Sequence, residues 1–69
     1  GLRPRVDAAV ADGVLTVTAD PPVGAYAVPV AVDGAIRWVP VADGRGTLAV
    51  EGLPREVRVD PEGWLPLRR

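Results

Sequence analysis

The pair Asp12-Gly13, set between two runs of alternating apolar residues, constrains this chain more than any other feature. Asp-Gly is the composition of a two-residue type I′ turn, in which both central residues take φ > 0, and such a turn joins adjacent antiparallel strands. Pairing Ala11 with Val14 across it sets Val10 opposite Leu15, Ala8 opposite Val17 and Val6 opposite Ala19, so six apolar side chains share one face. Arg5, Asp7, Thr16 and Thr18 then share the other. A slip of one residue would send the whole apolar set to the wrong side, so turn chemistry and face assignment support each other.

A second hairpin is expected around Asp33-Gly34, where Tyr26, Val28, Val30 and Val32 alternate before the turn. A two-residue loop here opposes Val30 to Arg37, whereas a three-residue loop of Asp33, Gly34 and Ala35 opposes Val32 to Ile36 and Val30 to Trp38. The longer loop, with a bulge, is preferred because it restores a common apolar face. Pro29 and Pro40 cannot donate to a ladder, which places their strands at an edge or turns those positions away from the pairing. Asp43-Gly44-Arg45-Gly46 reads as a loop, and beyond it Leu48 and Val50 point one way along a short strand. After Gly52-Leu53-Pro54, Val57 and Val59 face inward, Asp60-Pro61-Glu62-Gly63 suits a type I turn, and Trp64, Leu65 and Leu67 close the core.

Pro or Gly interrupts nearly every stretch long enough for a helix, and Val is abundant, so helix is set aside. About seven short strands with a turn signal at each corner predict a small all-β fold, an antiparallel β-sandwich of the immunoglobulin or fibronectin kind rather than a barrel. The 69 residues make a single domain, 1–69, read as a module of a larger protein. Gly1-Leu2 and Arg68-Arg69 read as loose ends.

A domain this small buries only about 60% of the surface its unfolded chain exposes. The usual supplements, disulfides or a Cys/His zinc site, are excluded because the chain has no Cys and no His. Support from a neighbouring domain or subunit is the remaining route. The net charge of -1, with acids and bases scattered singly, leaves no electrostatic footprint for nucleic acid. Apolar stretches such as Ala25 to Val32 are far shorter than the ~20 residues of a membrane span, which predicts a soluble piece. Every basic residue is Arg, and Ser, Asn, Gln, Phe and Met are missing, a bias consistent with a GC-rich bacterial genome.

Three Thr, one Tyr and nine acidic residues are a poor inventory for catalysis, and a triad, a Schiff-base lysine and a histidine-ligated zinc are excluded outright. Asp12, Asp33, Asp43 and Glu62 sit in turn dipeptides, where Asx-type turns explain them better than acid-base chemistry. A calcium site from Asp60 and Glu62 matches no EF-hand spacing, and Arg45 between two glycines reads as a solvated charge. No cofactor is expected. Trp38 and Trp64 carry the greatest apolar area per residue and are read first as core anchors, with projection into an adjoining domain as the rival role. If the module docks on a partner, Trp38, Val39, Val41, Leu53 and Trp64 are the candidate interface.

The stretch VEGLPREVRVDPEGWLPL, Val50 to Leu67, resembles the end of the β-sandwich domain in aminopeptidase-N-like zinc metallopeptidases, the gluzincin family, where a strand leads through an Asp-Pro-acidic-Gly turn into Trp-Leu. Gly13 to Pro22 and Tyr26 to Val32 resemble two earlier strands of that domain, in the same order. The distinctive string is Asp60-Pro61-Glu62-Gly63-Trp64. The family's HExxH helix and its Gly-Ala-Met-Glu-Asn segment have no counterpart here, so the resemblance implies a non-catalytic accessory module packed against a peptidase domain and carries over no catalytic residue. The alternative is an autonomous adhesion module that binds a protein or glycan.

Overall fold

The computed structural model describes residues 3–68, and among them it contains six β-strands and no helix. The strands are β1 (Arg5–Ala11), β2 (Val14–Asp20), β3 (Ala25–Val32), β4 (Ala35–Ala42), β5 (Arg45–Ala49) and β6 (Val57–Val59). They form one antiparallel sheet in the order β1-β2-β5-β4-β3-β6. Its end strands come alongside each other, and a parallel bridge from Arg5 to Arg68 ties the seam, so the sheet is nearly closed and barrel-like. This corrects the expectation of about seven strands in a sandwich. Residues 64–67, expected to close the core, follow the last turn as irregular chain. Arg68 is no loose end, since its N–H donates to the Pro4 carbonyl at 2.8 Å. The expectation for Gly1, Leu2 and Arg69 lies outside the described residues.

The first hairpin has the expected register, from Ala11 opposite Val14 to Val6 opposite Ala19. Leu15, Val17 and Ala19 are buried and Val6, Ala8 and Val10 pack against them. Asp12 and Gly13 have φ of 52° and 76°, both in the left-handed region that a type I′ turn requires.

The second hairpin corrects the three-residue loop. Val32 pairs with Ala35, so Asp33-Gly34 is again a two-residue turn, and Val30 lies opposite Arg37 while Trp38 lies opposite Pro29. The expected apolar match at Val30 is not needed, because Arg37 sits at the mouth of the barrel. There it lines a cleft of about 470 Å³ with Val32, Asp33, Ala35 and Glu51. Further along, Val28 meets Val39 and Tyr26 meets Val41 on the inner face. In such a hairpin alternate residues turn their backbone groups away from the partner strand, and Pro29 and Pro40 fall on those positions. Pro29 lies just past the end of the β3–β6 ladder, and Pro40 faces the side on which β5 has left β4.

Asp43-Gly44, expected to be part of a longer loop, is a third turn of the same kind, with φ of 52° and 83° and Ala42 paired to Arg45. Past that pair β5 departs from β4 and runs along β2, from Thr18 opposite Arg45 to Val14 opposite Ala49. The departure needs Gly46, where an added Cβ would collide with the Pro40 carbonyl oxygen. The sheet therefore folds over at this corner, with β1-β2-β5 on one side and β4-β3-β6 on the other. Between them lies a core of Leu15, Val17, Ala19, Val28, Val30, Val39 and Val41.

Candidate functional site

The two-residue turn at Asp33-Gly34 decides which side chains of β4 reach the surface. With Val39 and Val41 turned inward and fully buried, Ile36, Trp38 and Pro40 must point outward. Val39 and Val41 are thereby removed from the candidate interface. Trp38 is 53% exposed, and so is not the core anchor expected of it.

Trp64 reaches the same surface by a different route. β6 pairs with β3 from Val57–Val32 to Val59–Val30, and the chain then turns at Asp60. The Asp60 N–H donates to the Pro29 carbonyl at 2.7 Å, and the Gly63 N–H donates to the Asp60 carbonyl at 3.1 Å. Asp60 has φ of 44° and is fully buried. A buried carboxylate demands hydrogen bonds, and here Oδ1 accepts the Trp64 N–H and Oδ2 the Leu65 N–H, each at 2.8 Å. The carboxylate thus fixes the backbone on both sides of Trp64, and its two oxygens serve the turn. Trp64 is held outward, 56% exposed, where it had been expected to close the core. Leu65 packs against the core and Leu67 is buried, as expected.

The two indoles stack on the outer face of β3 and β4, with ring centroids 5.7 Å apart and planes 7° from parallel. Pro29 and Ala31 also point outward from β3, yet both are buried. The Asp60 turn and the tryptophan pair lie over this part of the strand. Ile36 extends the apolar surface along β4, and Arg58, in register with Ala31, adds a cation on the same side. Ile36 was missed in the sequence because the longer loop assigned it to the inner face.

Leu53, the remaining candidate, is 91% exposed in the loop between β5 and β6. That loop is held by Asp33, whose Oδ1 accepts the Arg55 and Glu56 N–H groups at 2.8 and 2.9 Å. Of the five candidates, the structure brings Trp38 and Trp64 together, leaves Leu53 exposed on another segment, and buries Val39 and Val41.

At the end of the barrel away from the Asp33 turn, a second feature appears that the sequence reading did not single out. A partly open pocket of about 310 Å³ is lined by Pro4, Pro21, Val23, Tyr26, Leu65 and Leu67. The Tyr26 hydroxyl is buried and has no hydrogen-bond partner among the described residues. No group of three or more Asp or Glu is placed to hold a metal among the described residues, nor is any helix there long and apolar enough to cross a membrane. A scan against family models matches none, and searches of curated proteins and of solved structures find no similar protein.

Proposed function

We propose that this chain is a non-catalytic β-module that docks onto another protein, with the Trp38–Trp64 stack as its anchor. The observation that carries this is the exposure of both indoles, 53% and 56%, beside a core that seven other residues already fill. Tryptophan is the residue most enriched at binding hot spots, and a rigid aromatic pair offers contact area at low entropic cost. The shortage of nucleophiles and bases supports a non-catalytic role. A zinc-aminopeptidase-like catalytic domain is the proposed partner. The support is the resemblance of Val50 to Leu67, whose distinctive Asp60-Pro61-Glu62-Gly63-Trp64 string is the turn that presents Trp64.

One observation favours the second reading, an autonomous adhesion module. The sheet nearly closes on itself, with β1 beside β6 and the Arg68-to-Pro4 bond at the seam, which supports a core that stands without a neighbour. A photo-crosslinking residue placed at 64 in the source cell separates the two, with Thr16 on the opposite half of the sheet as the control site. Crosslinking from 64 to a protein carrying an HExxH zinc site is the expected result. A surface ligand in its place supports the adhesion module, and crosslinking no stronger than from 16 overturns the anchor.

A further inference from the structure

Tyr26 is an inner-face residue at the open end of the barrel, opposite Val41. Its ring lines the pocket and its hydroxyl is buried without a partner. Buried hydroxyls are nearly always hydrogen-bonded, so an orphan one demands a physical explanation. We infer that this pocket binds a small neutral molecule of one or two rings carrying a single hydrogen-bonding oxygen, which meets the Tyr26 hydroxyl. This site is separate from the tryptophan stack and does not depend on it.

Three features define that ligand class. The lining is almost wholly apolar and contains no charged side chain, so an ionic ligand would lose its hydration for nothing. The volume, about 310 Å³, is roughly twice the ~150 Å³ of an apolar cavity that holds benzene, which suits two fused rings. Small-molecule sites characteristically combine an apolar wall with very few polar groups that fix orientation, and Tyr26 supplies one.

To contact the hydroxyl, a ligand must ease aside the chain that covers it. Leu65 is fixed by Asp60, but Leu67 and Arg68 are tied by the Leu67 N–H to the Leu65 carbonyl, 2.9 Å, and the Arg68 N–H to the Pro4 carbonyl, 2.8 Å. Pro66 and Leu67 line the pocket and take no part in the Asp60 side-chain hydrogen bonds, so a shift of these two need not disturb that turn.

The test uses 1-indanone and indane, which share a two-ring frame and differ in one carbonyl oxygen. Each is titrated against the ¹⁵N-labelled chain, with amide shifts followed by NMR. Saturable shifts centred on Val23, Tyr26, Leu65 and Leu67 are expected. In Tyr26→Phe the indanone-to-indane affinity ratio should fall about fivefold, the worth of one ordinary hydrogen bond. Val23→Asp places a charge on the exposed rim and should weaken both probes together, which locates the site independently of Tyr26. Absence of saturable shifts with either probe overturns the pocket. Saturable binding with an unchanged ratio in Tyr26→Phe overturns the role of the hydroxyl and with it the ligand class.

Discussion

Replacing Asp60 tests most severely how the module presents Trp64. In the structure its carboxylate accepts two backbone N–H groups at 2.8 Å from a fully buried position. Hydrogen bonds to a charged group contribute about 1.5–3 kcal/mol each, so Asp60→Ala, which removes both, should lose about 3–6 kcal/mol. A core of this size rarely supplies more than ~3–5 kcal/mol in total, so the Ala variant should be largely unfolded at 25 °C. Asp60→Asn is the informative change. Asn tolerates the left-handed backbone at φ 44° and keeps one acceptor, but turns an NH₂ group toward the other N–H. The expected loss is about 2 kcal/mol. With a urea m-value near 1 kcal/mol/M, the midpoint should fall by about 2 M. Urea unfolding followed by far-ultraviolet circular dichroism measures this, and the near-ultraviolet signal of the indole stack should weaken in parallel. An Asn variant within about 0.5 kcal/mol of the parent, a size ordinary for surface changes, would refute the role given to the carboxylate.

Three further substitutions probe other parts of the structure. Gly46→Ala would push a methyl group into the Pro40 carbonyl and should prevent folding, whereas Gly34→Ala meets open space and should cost only the ~1–2 kcal/mol of a left-handed alanine; circular dichroism melts distinguish the two. Tyr26→Phe removes a buried hydroxyl without a partner and should stabilise the chain by about 1 kcal/mol, read as a higher urea midpoint. Asp33→Ala frees the Arg55 and Glu56 N–H groups, whose exposed bonds contribute about 1 kcal/mol, and leaves an alanine at φ 49° at a further ~1–2 kcal/mol, so the loss should be about 2–3 kcal/mol, with faster amide exchange at residues 55 and 56.

The first hairpin was legible to the residue because its turn chemistry and its apolar alternation agree, Ala11 against Val14 and onward. The second misled because matching apolar faces was set above turn chemistry. Val30 opposite Arg37 looks wrong until the barrel mouth is known to be open there, and knowing that requires the position of β5 and Glu51. The same slip hid the surface position of Trp38 and Ile36. Asp43-Gly44 was obscured by the Arg45-Gly46 that follows, and Gly46 is explained only by its approach to Pro40, a contact across the sheet corner. Asp60 could be read as a turn residue, but its burial depends on Pro29 and β3, which lie far away in sequence. Local chemistry thus declares turns and faces, while the sides on which strands finally meet are set by long-range packing.

The central claim is that the tryptophan pair lies outside a core complete without it. Oxidative footprinting of the folded chain, read by mass spectrometry, tests this most directly. With both indoles more than half exposed, Trp38 and Trp64 should be oxidised readily under native conditions, with little further increase on unfolding in urea. Protection of both until the chain unfolds would place them inside the core and contradict the claim.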